Sequence, residues 1–144
     1  MRLAPVREDR LSRLQVSRRL AYFFGVVTPI AETVRRWGTL WDNPPAFLDD
    51  YLLGAFLIAG AWATRKQGSA RAISLLAAAW GFASGMAYSS AAFHWFVMRA
   101  GELDPSGLPS HWVFAIKVFG GLIFITALAL TVTSNGLRHS SQNQ

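Results

Sequence analysis

The sequence predicts an all-α protein, an integral membrane four-helix bundle with both termini inside. Three observations carry this. Ala72–Met98 contains no charged residue, and as a helix it is about 40 Å long, more than the roughly 30 Å of hydrocarbon in a bilayer. Hydrophobic residues make up 52% of the 144 positions and charged residues only 15%, a balance that fits a membrane protein better than a soluble core. The charges gather in the first 19 residues and in short gaps between apolar runs.

Residues 1–19 hold Arg2, Arg7, Arg10, Arg13, Arg18 and Arg19 against Glu8 and Asp9, with a weak apolar stripe of Leu3, Val6, Leu11, Leu14 and Val16. Such a segment suits either a short interfacial helix on anionic lipid or a solvated tail. The first span is expected over residues 20–41. Its cleanly apolar part, Leu20–Ala31, has the length of a signal-peptide core. The basic region before it is long, however, and Pro29 would stand three residues before a cleavage after Ala31. An uncleaved span is therefore expected, carrying Glu32, Arg35 and Arg36 near its far end, with Trp37 and Trp41 as interfacial anchors.

Asp42-Asn43-Pro44-Pro45 breaks the chain, with Asp42 or Asn43 as a cap and proline in the next first turn. A second helix is expected over 46–63, with Asp49 and Asp50 near its positive end and Gly54, Gly60, Ala55, Ala59 and Ala63 permitting close packing. The turn Thr64–Arg71 makes the next span its antiparallel neighbour. That third span, 72–98, carries small residues at Ala77, Gly81, Gly85 and Ser89. In lipid, such residues mark helix contact faces; the contact is either within the chain or with a second copy. Arg99–Ser110 is rich in Gly and Pro and reads as a loop. Ser110 can cap a fourth span over 112–133, Asn135-Gly136 is a helix stop, and 135–144 is a polar tail.

Charge sets the threading. With the N-terminus inside, ten of the fourteen Lys and Arg lie on the cytoplasmic side, and Arg35, Arg36 and Arg99 lie opposite. This is the positive-inside bias of a bacterial cytoplasmic membrane protein with both termini in the cytoplasm. The same distribution explains the net charge of +6, so a nucleic-acid partner is not inferred. The absence of Cys excludes disulfides, thiol catalysis and Cys-ligated clusters. No phosphate loop, G-x-S-x-G or H-E-x-x-H motif occurs, and no enzymatic activity is expected.

Threading four spans brings Glu32, Arg35, Arg36, Asp49, Asp50 and Lys117 to the outer side. These form either a structural ion-pair network or a polar transport cluster. Glu32 and Arg36 have favourable i,i+4 spacing, and Lys117 is placed to snorkel. His94 and His111 are weak candidates for haem b or metal ligation from the third and fourth spans; no other cofactor is expected. The four-span size and an acidic residue in the first span resemble the small multidrug-resistance transporters in architecture. In that family the N-terminal tail is nearly absent and the Glu lies deep within helix one, whereas Glu32 lies late in its span beside two arginines. The resemblance therefore transfers no functional residue. The leading expectation is a small membrane protein with a structural, scaffolding or accessory role, whose partners are lipid and other membrane helices or a homo-oligomer. A small-solute or ion transporter is the alternative, and a haem-binding redox anchor the third.

Overall fold

The computed structural model describes residues 4–35, 37–38, 44–65, 69–104 and 106–140. It is all-α, with helices α1 (Ala4–Arg35), α2 (Pro44–Ala63), α3 (Ala70–Arg99) and α4 (Ser110–Ser140). Each packs on its neighbours in a ring: α1 against α2, α2 against α3, α3 against α4, and α4 back against α1. Two of them, α3 and the Ser110–Ser134 part of α4, are long and apolar enough to cross a membrane.

Three boundaries differ from expectation, the first being the end of α1, which stops at Arg35 with a turn at 37–38 and does not run on to 41. The basic segment is helical and not a separate tail, because α1 runs unbroken from Ala4. The reason is a buried stripe that starts well before the apolar run: Leu14, Ser17, Ala21, Gly25, Pro29 and Glu32 are all buried. Spacings of three and four keep these positions on one helical face. At the other end of the chain, Asn135-Gly136 does not stop α4, which continues to Ser140. The expected caps Asp42 and Asn43, and Trp41, lie outside the described residues. α2 does begin on Pro44 and Pro45, where a missing amide costs no helical hydrogen bond. Ser69 caps α3 by accepting from the Ala72 amide at 3.3 Å. Gly101, at φ +72, ends α3 in the left-handed conformation that glycine adopts without steric cost.

The core consists of Leu14, Ala21, Leu53, Leu57, Ala61, Ile73, Leu76, Ala79, Trp80, Ala83, Phe124 and Ala127. Phe24 meets Phe124 edge-on with ring centroids 5.0 Å apart, and Trp80 lies 5.6 Å from Phe124. Along α4 the inward positions are Ser110, Val113, Lys117, Gly120, Phe124, Ala127, Thr131 and Ser134, either buried or half-buried. That alternation of three and four is the heptad seam of a bundle packed at small crossing angles. α3 repeats it through Ile73, Leu76, Trp80, Ala83, Ala87, Ser90 and His94.

Close approach occurs where α1 meets α2. A Cβ added to Gly54 would stand 2.5 Å from the Gly25 carbonyl oxygen, and one added to Gly25 would stand 2.7 Å from an Ile58 side-chain carbon. Pro29 accounts for the placement: lacking an amide hydrogen, it leaves the Gly25 carbonyl without its i+4 donor, and that carbonyl lies over Gly54. Gly60 makes a comparable approach to the Leu76 backbone of α3. Gly81 and Gly85 do not pack within the chain. Both are exposed, and an added Cβ at either would meet nothing within 4 Å. Ser89 is also exposed and Ala77 half-buried, so the inward face of α3 is the Ile73–His94 seam, displaced from the small-residue face.

Candidate functional site

The seams carry polar residues at two levels and apolar residues between. Lys117 and Thr131 are two heptads apart on α4, as are His94 and Trp80 on α3, which corresponds to about 21 Å along the axis. At one level, Trp80 Nε1 donates to Ser17 Oγ at 2.9 Å. Ser17 Oγ lies 2.6 Å from Thr131 Oγ1 and 3.3 Å from the Ala127 carbonyl oxygen to which it donates. Thr131 Oγ1 donates to the same carbonyl at 2.8 Å. Arg18 adds a donor to the Thr64 carbonyl at 3.3 Å. Ser17, expected in the tail, is fully buried and ties three helices together.

The other level, at the opposite end of the bundle, is ionic. Glu32 is buried on the inward stripe of α1, and one turn later Arg35 donates to its Oε2 from Nε at 2.9 Å and from Nη2 at 2.7 Å. Lys117, on the seam of α4, donates to Glu32 Oε1. Arg35 Nη1 then reaches the α3–α4 loop, donating to both Asp104 oxygens at 3.0 Å. Asp104 is buried and anchors its own turn: Oδ1 accepts from the Ser106 amide at 2.9 Å and from the Ser106 hydroxyl, and its carbonyl accepts from the Gly107 amide at 2.8 Å. His94 completes the set, with Nε2 3.0 Å from Asp104 Oδ2 and Nδ1 2.8 Å from the Ser90 carbonyl oxygen. Burial opposes the charge on Asp104, but the Ser106 hydroxyl and amide, the Arg35 guanidinium and His94 outweigh it and lower its pKa to about 2.

Of the expected cluster, the structure brings together Glu32, Arg35 and Lys117. Asp104 joins them; Asp49 is exposed and Asp50 half-buried at the start of α2. Arg36 lies outside the described residues. His94 and His111 separate: His94 is buried with both ring nitrogens engaged, while His111 is exposed beside the Trp112 ring, centroids 5.7 Å apart. A haem or metal bond to His94 requires one of its nitrogens to leave a protein partner. Among the described residues, no three His, Cys, Asp or Glu side chains gather as a metal-binding group.

Asp104 was missed because it lies in the loop between α3 and α4. The signal was present in Asp104-Pro105-Ser106-Gly107, the residue preferences of a turn closed by an aspartate side chain. What the turn packs against is not written locally. The arrangement holds a bidentate Arg–carboxylate contact, a Lys–carboxylate pair and a His–carboxylate pair in one connected, buried network. It joins α1, α3, the loop and α4 at one end of the bundle. No protein-family model matches this chain, and no similar curated protein or solved structure was found.

Proposed function

We propose that this chain is a multi-pass protein of the bacterial cytoplasmic membrane, with both termini cytoplasmic, and that its role is structural or accessory. It associates with other membrane helices, or with a second copy, through the outer face of α3. Large exposed hydrophobics on all four helices support the membrane reading, among them Phe23, Val26 and Ile30 on α1, Leu52 and Ile58 on α2, Phe82 on α3, and Phe119 and Ile125 on α4. A surface apolar on every helix fits lipid and not water. The polar groups of the two levels meanwhile bond to one another, as lipid demands.

The observation that carries the associative role is the open space at Gly81 and Gly85. They form an exposed small-residue face on a helix whose internal contacts are already made elsewhere. Because the natural chain has no Cys, single-cysteine variants report contacts cleanly. Gly85→Cys in native membranes is expected to crosslink to itself, or to another membrane protein through a photoreactive thiol reagent. Phe119→Cys, on the lipid-facing side of α4, is expected not to. Equal behaviour of the two sinks the associative role. The transporter alternative rests on the outer ionic network, whose donors and acceptors bond to one another; that closure favours the structural reading.

A further inference from the structure

Among the described residues, the half-buried Lys and Arg side chains are Arg18, Arg35 and Lys117. Arg35 and Lys117 each hold a carboxylate. Arg18 holds none: it donates from Nη1 to the Thr64 carbonyl oxygen at 3.3 Å, a neutral acceptor left open where α2 ends. A guanidinium carries several further N–H donors. Among the described side chains at this end of the bundle, the one carboxylate is Asp9, and it pairs with Arg13 at 3.5 Å. Withdrawing a charge from water without an opposite charge is costly. Arg18 therefore calls for an anion from outside the chain.

We propose that Arg18 and Arg65 bind the phosphate of an anionic phospholipid from the cytoplasmic leaflet, with its acyl chain in the groove between α1 and α2. The site presupposes the membrane threading proposed above. Gly25 of α1 lies against Ile58 of α2. Arg18 stands seven residues before Gly25, and Arg65 seven residues after Ile58. The backbone keeps a helical course past Ala63, since the Thr64 amide bonds to the Gly60 carbonyl at 3.3 Å. Two turns on, both arginines return to the line where the helices meet, and in an antiparallel pair both lie toward the same end. α2 has 20 residues and is about 30 Å long, the thickness of the hydrocarbon. Thr64, with Arg18 bonded to it, thus falls at the level of the lipid headgroups.

The rest of the groove fits a lipid and not a free anion. On its hydrocarbon side, Val26 of α1 and Ile58 and Trp62 of α2 are exposed. An acyl chain covers them while its phosphate sits on Arg18; inorganic phosphate leaves them bare. Charge complementarity selects the anionic class. Arg19 is exposed beside Arg18, and ten of the fourteen Lys and Arg lie at this end. A zwitterionic headgroup would bring its ammonium into the same positive field. Guanidinium groups also match phosphate oxygens in paired hydrogen bonds.

The test reconstitutes the full chain in phosphatidylcholine vesicles with a fluorescent label on Trp62→Cys. The quenching probes are brominated phosphatidylglycerol and brominated phosphatidylcholine. Stronger quenching by phosphatidylglycerol is expected at Trp62, and equal quenching by the two at Phe119→Cys on α4. The preference is expected to vanish in Arg18→Gln combined with Arg65→Gln, and to persist in Arg99→Gln at the other end, where Arg99 lies over the Trp95 ring at 6.0 Å. Equal quenching at Trp62, or a preference that survives the double variant, overturns the site. Native mass spectrometry of the chain without a label is the second readout. Retained phosphatidylglycerol is expected, held about tenfold more weakly in Arg65→Gln and not displaced by inorganic phosphate. Displacement by inorganic phosphate overturns the lipid assignment. A chain that stays outside phosphatidylcholine vesicles overturns the membrane reading itself, a failure distinct from insertion without lipid preference.

Discussion

At the scale of single residues, the ionic network has two buried carboxylates, Glu32 of α1 and Asp104 of the α3–α4 loop, joined through Arg35. Asp104 collects donors from α1, from His94 and from its own turn, so its charge is stabilised in the folded state. Its pKa falls from an ordinary 3.8 to about 2. A depressed carboxylate contributes stability that is fully present above its unfolded pKa and is lost as pH falls through the folded value. The unfolding temperature of the protein in detergent is therefore expected to drop between about pH 4 and about pH 2, and Asp104→Asn is expected to remove this dependence. The same variant breaks a buried pair and is expected to lose about 3–5 kcal/mol at neutral pH. Asp49→Asn, at an exposed site, is expected to change little. An Asp49 effect as large as that of Asp104 would contradict this assignment.

At the scale of helices, the glycines divide into two sets that look alike in sequence. Gly25, Gly54 and Gly60 are contact points; Gly81 and Gly85 are exposed. Alanine scanning in monodisperse detergent separates them. Gly54→Ala drives a methyl group to 2.5 Å from the Gly25 carbonyl oxygen and is expected to cost about 1–3 kcal/mol. Gly81→Ala and Gly85→Ala meet no atom, and helix propensity alone predicts a gain of up to about 1 kcal/mol each. The difference was illegible in sequence because G-x-x-x-G states a capacity for close approach without a partner. The partner is chosen by which stripe of α3 the heptad seam turns inward, and Trp80 and His94 lie on that stripe. The continuity of α1 through the basic segment was illegible for a related reason. Arg13, Arg18 and Arg19 gave that segment a solvated look, while Leu14 and Ser17, among them, continued the buried stripe.

At the scale of the whole molecule, the ring of four helices predicts opposite accessibilities for its two ends. In the threading proposed here, Leu108 lies on the outer side and Arg65 on the cytoplasmic side, both exposed. A membrane-impermeant maleimide is expected to label Leu108→Cys in intact cells and Arg65→Cys only after permeabilisation. The reverse pattern inverts the threading. The polar levels, about 21 Å apart, belong to this scale as well. Each joins three helices, so each pins the register and rotation of the bundle.

Composition and periodicity determined the helical class, the number of helices and the end at which ionisable groups gather, because these depend on apolar runs and breakers read along the chain. Glu32, Arg35 and Lys117 were legible as a group once the helices were ordered antiparallel. Tertiary structure decided which residues complete the network. Asp104 joins it because a tight turn brings its carboxylate to Arg35 and His94, and His94 is placed with its ring nitrogens beside the Ser90 carbonyl and the Asp104 carboxylate. Those outcomes depend on helix rotation and on where a loop settles. Both are set by contacts between residues far apart in the chain, which local pattern cannot encode.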